Sequence, residues 1–179
     1  MKGLHLISIS ILVLALILLI GSVASAEYNP LSFKDKEPNG FRDLEWGTNI
    51  NSIDGMRVAQ EEDGGMSKTC VRDDEKLQIG GAKLESIAYY FWNDKLESVL
   101  IIARGYRNCE RLKETTFQAF GMPCQLFRDH YCWRGEKTNI TLSFTDSDFG
   151  ILLLSSIEVN EQRETYELEL AKKGAQEDF

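Results

Sequence analysis

The chain has 179 residues, with 20 Lys or Arg against 28 Asp or Glu, so its formal net charge is −8. This length is typical of about one globular domain. The acidic balance argues against a nucleic-acid-binding role, because that role needs a basic surface to release counterions from phosphates.

Residues 1–26 have the three-part layout of a secretory signal peptide. Lys2 precedes an apolar run from Leu4 to Ile20, and Ala24-Ser25-Ala26 presents small side chains for cleavage. We therefore predict a periplasmic or secreted protein without stable membrane insertion after cleavage, whose mature chain begins at Glu27. The alternative is an uncleaved membrane anchor, because an apolar run of about 17 residues is just long enough to span a bilayer.

Residues 27–40 contain two prolines and mixed charges without periodicity, which predicts a flexible tether. A single α+β domain is expected over residues 41–179. Its first elements are a short helix over Ile50–Asp54, capped by Thr48 or Asn49, and a strand over Met56–Gln60.

The clearest predicted element is a β-hairpin in the segment IAYYFWNDKLESVLIIARG, which starts at Ile87. Asn93-Asp94 tolerates the positive φ angles of a two-residue turn. Such a turn places three pairs on the core-facing side: Phe91 with Leu96, Tyr89 with Ser98, and Ile87 with Leu100. The opposite face is mixed in polarity and is expected to be partly covered; it carries Ala88, Tyr90, Glu97 and Val99.

Helical spacing of apolar residues recurs in the second half of the chain. A helix is predicted from Asn108 to Phe120, followed by three or four short strands over residues 124–156. A C-terminal helix is predicted near residues 160–173, with an apolar stripe so thin that the helix is expected to project or to cover an edge. The predicted fold is thus α+β: an antiparallel sheet of several short strands with two or three helices, stapled by disulfides.

The staples are predicted from four cysteines, an even number in an exported chain: Cys70, Cys109, Cys124 and Cys132. A Cys109–Cys124 bridge is disfavoured, because a helix from Cys109 to Phe120 covers about 16 Å. The preferred pairing is Cys124–Cys132 with Cys70–Cys109, over Cys109–Cys132 with Cys70–Cys124.

Catalytic arrangements are poorly represented in the sequence. His130 is the only histidine after removal of the signal peptide and lies in a polar turn, and no phosphate-binding or nucleophile-elbow motif occurs. Asp146 and Asp148 are interpreted as a solvated turn. We therefore predict no catalytic residue, no cofactor and no metal; the alternative is a small hydrolase using Glu97 or Asp146, or a thiol enzyme using an unpaired cysteine.

Four aromatic side chains are candidates for a binding surface, namely a stacking platform for a peptide or glycan, although core packing is the alternative for each. They are Trp46, Tyr90, Trp92 and Trp133.

Three segments, NGFRDLEWGTNINSIDGM, KLQIGGAKLESIAYYFWNDKLESVLI and YRNCERLKETTFQAFG, carry a family resemblance. The chain resembles a group of small uncharacterised exported proteins of Gram-negative bacteria, which share an F-R-x-x-x-W-G-T start, an aromatic hairpin and an L-K-x-x-x-F-x-x-x-G helix. The resemblance implies an envelope location and an α+β domain but no activity. Together these features predict an exported, non-catalytic binding or assembly module. Its expected partner is an envelope protein or peptide, received by strand addition at an open edge beside the hairpin.

Overall fold

The chain folds into an antiparallel sheet with two helices, which confirms the predicted α+β class. The structure, a computed structural model, describes Phe33, residues 37–145 and residues 148–178. The predicted signal peptide at residues 1–26 lies outside the described residues, as do most of the predicted tether and Asp146.

Two short strands, β1 (Gly40–Phe41) and β2 (Leu44–Glu45), form a small N-terminal hairpin. The main sheet runs in the order β3-β4-β6-β7-β11-β10-β9-β8, with β5 paired to β6, and all its pairings are antiparallel. Its strands are β3 (Met56–Glu62), β4 (Ser67–Arg72), β5 (Gln78–Ile79), β6 (Ala82–Trp92), β7 (Lys95–Arg104), β8 (Cys124–Phe127), β9 (His130–Arg134), β10 (Thr138–Phe144) and β11 (Phe149–Ser156).

The two helices are α1 (Tyr106–Phe120) and α2 (Ile157–Asp178). Helix α1 begins before Asn108, the predicted cap, because the Asn108 side chain is used elsewhere: it accepts from Lys83 N at 3.2 Å and donates to Arg104 O at 3.0 Å. Helix α2 is longer at both ends than predicted. The short helix predicted at residue 50 is a single 3₁₀ turn, Ile50–Ser52, capped by the side chain of Asn49.

The β6–β7 hairpin turns at Asn93 and Asp94, both with positive φ (48° and 62°), as predicted. Phe91 faces Leu96 as expected, but the register then shifts, because β7 contains one extra residue, Glu97, opposite the Tyr90–Phe91 step. Two of the three predicted pairs are therefore wrong. Tyr89 pairs with Val99 and Ile87 pairs with Ile101.

This bulge decides which residues form the core. Val99 and Ile101 are fully buried on the same side as Tyr89, whereas Ser98 and Leu100 lie on the other side and are half-buried. We call the first side the core face and the second the back face. Helix α1 packs on the core face through Cys109 and Leu112, and the N-terminal hairpin contributes Leu44 and Phe41.

Contacts of the N-terminal region begin before residue 41, within the segment predicted to be a tether. The carboxylate of Glu37 accepts hydrogen bonds from the backbone N–H groups of Lys137 and Thr138 (2.6 Å each) and of Glu136 (3.1 Å). Thr138 also donates to Pro38 O at 2.5 Å. We call this attachment the Glu37 clip. It ties the start of the domain to the β9–β10 turn.

The predicted disulfide framework is wrong, because Cys70 and Cys109 are free, buried thiols. Cys70 lies opposite Tyr89 of β6. Cys109 Sγ contacts Ala103 O on β7, and Ala103 lies opposite Leu84 of β6. Five residues of strand separate those two positions, about 17 Å, and a disulfide requires Cα atoms about 5.5 Å apart. Cys124 and Cys132 lie opposite each other on β8 and β9, but four cysteines do not staple this domain.

Candidate functional site

An apolar patch occupies the middle of the back face, where strands β6, β7 and β11 run side by side. Leu100 lies between Ala88 and Leu153, and Ile102 lies beside Ile151 in the next ladder row. All five side chains are half-buried, although they belong to central strands. Most of the surrounding ladder positions are polar, so the apolar centre has a polar rim and is a candidate for an interaction site. The rim consists of Ser86, Ser98, Asn139, Thr141, Ser143 and Ser155.

Helix α2 converts one end of this patch into a groove of about 450 Å³. The floor comes from the sheet and the single wall comes from the first turns of α2, so the groove is a trough rather than an enclosed cavity. We call it the back-face groove. Its lining residues are Tyr90, Glu97, Ser98, Leu100, Leu153, Ser155, Asn160 and Arg163.

An ion pair between Glu97 and Arg163 forms the junction of floor and wall. Arg163 Nε lies 2.9 Å from Glu97 Oε1 and 3.9 Å from Glu167 Oε1, and Arg163 Nη2 donates to Asn160 Oδ1 at 2.9 Å. Glu97 is only 8% exposed, because the bulge turns it under the helix. Burial raises the pKa of Glu97 above its ordinary value, and Arg163 opposes that rise.

Few other contacts hold α2 to the sheet. Val159 is buried, the Lys95 ammonium donates to Gln162 Oε1 at 2.9 Å, and the rings of Trp92 and Tyr166 meet edge to face at 5.9 Å. From residue 164 to residue 176 every position is exposed. Beyond its first two turns, α2 is therefore largely solvent-exposed, which agrees with its thin apolar stripe.

The four predicted aromatics are not brought together. Trp133 is fully buried on the core face, where its indole N–H donates to Gly121 O at 3.1 Å. Trp46 packs at the edge of the core and donates to Thr138 Oγ1 at 2.7 Å, while Trp92 is buried beneath Tyr166. Tyr90 alone among them lines the back-face groove.

Sequence reasoning missed most of the groove. Leu153 lies in FGILLLSS, where both faces of the strand are apolar, so alternation could not assign it to the back face. Asn160 and Arg163 reach the groove through the packing of α2, which no local pattern encodes. Of the four residues predicted on the partly covered face, Ala88 and Tyr90 are half-buried there as expected. The other two are corrections: the bulge puts Val99 on the core face, fully buried, and Glu97 is buried under α2.

The open edge strand predicted to receive a peptide corresponds best to β3, which pairs only with β4 among the described strands. A bulge interrupts its register between Val58 and Gln60, and Arg57, Glu61 and Glu62 are exposed along it. Bulges and charges are the usual means by which proteins block pairing at a sheet edge. The geometry therefore favours the back face over this edge as a binding surface.

Residues with catalytic potential are not assembled in the described part of the chain. Burial raises the pKa of both free thiols, Cys70 and Cys109, which disfavours the reactive thiolate. His130 is exposed on β9, and Glu97 is already paired with Arg163. Residues 37–145 and 148–178 contain no group of three potential metal ligands.

A second cavity, of about 220 Å³, lies between α1 and β1 on the core side and is almost entirely apolar. Two of its three polar side chains are already engaged: Arg42 pairs with Glu75, and Thr116 donates to Leu112 O at 2.7 Å. Little remains to orient a ligand there, so the back-face groove is the stronger candidate.

No helix in the described ranges is long and apolar enough to cross a membrane. The site must be interpreted from its own geometry, because fold alone does not identify function. No protein-family model, curated protein or solved structure matches this chain.

Proposed function

We propose that this protein is an exported, non-catalytic binding module that holds a helical segment of another envelope protein in the back-face groove. The observation that carries the proposal is the half-buried apolar patch on central strands, centred on Leu100 and Leu153, over which the described residues place no second layer. Soluble monomers rarely leave such a contiguous patch open unless it binds something. The location in the envelope follows from the predicted signal peptide at residues 1–26.

The dimensions of the patch suit a helix. Three strands about 4.8 Å apart span about 10 Å from β6 to β11, which matches the diameter of one α-helix. The three ladder rows centred on Ser86, Ala88 and Tyr90 extend about 14 Å along the strands, or roughly two and a half helical turns. A partner helix would therefore present apolar side chains at i, i+3 or i+4, and i+7.

Helix α2 supplies the side wall against which the partner helix packs. Asn160 and Ser155 stand at the rim with hydrogen-bonding groups, as expected for an interface with an apolar centre and a polar margin. The partner would complete a second helical layer on the sheet, opposite α1. The arrangement explains why β7 and β11 carry apolar residues on both faces.

Site-directed photocrosslinking tests this proposal. A photoreactive amino acid in place of Thr141, an exposed position opposite Leu153, should crosslink one stoichiometric partner in envelope extract. The same amino acid in place of the exposed Glu114 on α1, on the other side of the sheet, is the matched control. The crosslinked partner peptide should show helical apolar spacing; equal crosslinking at both positions, or none at Thr141, would contradict the proposal.

A further inference from the structure

We infer that the helix held in the back-face groove is cationic, with Lys or Arg along the flank that faces α2. This inference rests on the proposed function and specifies the chemistry of the partner. The evidence for it is the negative charge of α2, the helix that forms the groove wall.

Helix α2 is strongly acidic. Between Ile157 and Asp178 it contains seven Asp or Glu residues and three Lys or Arg residues. The basic residue nearest the groove, Arg163, is already paired with the buried Glu97 at 2.9 Å, whereas Glu167 lies further from it, at 3.9 Å. Beyond that pair the wall presents exposed carboxylates to any helix lying beside it.

The groove side of α2 can be identified from its contacts. Asn160 and Arg163 line the groove, and positions three and four residues further along a helix continue the same side. Glu164 and Glu167 occupy those positions; Glu164 accepts from Asn160 Nδ2 at 3.2 Å. Both carboxylates are exposed, so a partner can approach them without first breaking a buried pair.

The far end of the back face adds little net charge. Arg104 lies 3.6 Å from Glu85 across the β6–β7 pair, so these two exposed charges balance each other. On the β9 side, Arg134 is an exposed cation opposite the rim residue Asn139, so the negative charge lies along the flank formed by α2. Charge complementarity of this kind selects partners and their orientation more than it adds affinity.

The same charges disfavour a second copy of this chain as the occupant. The chain has a net charge of −8, and α2, the exposed helix that a second copy would bring to this face, is itself acidic. Bringing two copies together at this face would place carboxylates against carboxylates. A cationic helix from a different protein satisfies both the apolar floor and the acidic wall.

Synthetic peptides test the inference on the intact exported protein. The probes are a Leu/Lys amphipathic helix of about 18 residues, the same spacing with Glu in place of Lys, and a scrambled Leu/Lys sequence. Fluorescence anisotropy should show that the Leu/Lys helix binds at least about tenfold more tightly than the other two.

Two sets of variants locate the binding. The double variant Glu164→Lys with Glu167→Lys should weaken binding of the Leu/Lys helix about tenfold and strengthen binding of the Leu/Glu helix. Glu110→Lys with Glu114→Lys makes the same charge change on α1, which lies on the other face of the sheet, and should alter binding less than about twofold. Leu153→Ser, or Leu100→Ser where the first variant folds poorly, should abolish measurable binding.

The remaining outcomes separate this inference from the proposed function. Equal binding of both charged helices, with sensitivity to Leu153→Ser, would overturn the cationic assignment and leave the binding module intact. If the Leu153→Ser variant binds the Leu/Lys helix as tightly as the wild-type protein does, the binding is non-specific electrostatic attraction, and this result would also overturn the cationic assignment. A dimer in sedimentation that dissociates on Leu153→Ser would make a second copy the occupant and would refute the inference.

Discussion

The Glu97–Arg163 pair offers the sharpest test of how α2 is held. Replacing Arg163 by Met removes the guanidinium and keeps the aliphatic stem, so Glu97 is left 8% exposed and without its cation. Replacing Glu97 by Gln removes the buried charge and keeps the shape. If the pair is needed mainly to neutralise Glu97, the two substitutions should differ strongly in their effect on stability.

The expected magnitude follows from the exposure of the two side chains. Leaving one partner of a fully buried ion pair uncompensated costs about 3–5 kcal/mol. Because 37% of the Arg163 side chain is exposed, water partly replaces the guanidinium. We therefore expect Arg163→Met to cost about 1–3 kcal/mol in free energy of unfolding. We expect Glu97→Gln to cost below about 1 kcal/mol and to restore most of the loss when combined with Arg163→Met.

The pH dependence has a defined sign. Since burial raises the pKa of Glu97 in the folded state, the folded chain binds that proton more tightly than the unfolded chain does. The penalty for the buried carboxylate is absent below the ordinary pKa of Glu, about 4.3, and grows as the pH rises through the higher folded pKa. The deficit of Arg163→Met should therefore be smaller at low pH than at neutral pH.

Urea unfolding of the wild-type protein, both single variants and the double variant, at acidic and neutral pH, measures all of these quantities. Equal destabilisation by Arg163→Met and Glu97→Gln, with additive effects in the double variant, would refute the reasoning. A deficit of Arg163→Met that grows at low pH would refute the assigned sign.

Three further predictions concern other parts of the domain. Gly40→Ala should lower the free energy of unfolding by about 2 kcal/mol or more, because the added Cβ would lie 2.0 Å from Leu44 O. The control Gly64→Ala has positive φ but open space around the Cβ and should cost about 1 kcal/mol. Equal decreases in melting temperature for the two variants would contradict the clash at Gly40. Glu37→Ala removes the clip and should lower the free energy of unfolding by about 1–2 kcal/mol. The control Glu136→Ala keeps its backbone donor and should change the free energy of unfolding by under about 0.5 kcal/mol. A loss for Glu37→Ala no larger than that of the control would show that the clip does not stabilise the fold. Cys70 and Cys109 should resist alkylation in the folded protein and react on unfolding without reductant, as seen by intact mass; fast labelling of either in the folded state would show that it is not buried.

The sequence predicted local structure well where one pattern was dominant. Asn93-Asp94 between two apolar runs predicted the hairpin turn, and Gly121 with Pro123 predicted the end of α1. The register beyond the turn could not be predicted. In LESVLII both faces carry apolar side chains, so a one-residue bulge at Glu97 leaves a pattern that still looks consistent.

The candidate site was harder to predict because it depends on contacts between distant segments. Glu97 and Arg163 lie on different elements, and nothing local to either residue indicates that they meet. The cysteine prediction failed for a related reason. An even number of cysteines in an exported chain suggests pairing, but Cys70 and Cys109 pack at separate positions along β6.

The strand order has a consequence for the timing of assembly. Along the sequence β3 to β7 come first and β8 to β10 follow. The last strand of the sheet, β11, lies between β7 and β10. Until β11 arrives, the two halves of the sheet are unconnected edges and the floor of the groove lacks Leu153. If the chain is exported and binds a helix as proposed, the floor of the groove forms only after β11 has followed the other strands of the sheet across the membrane.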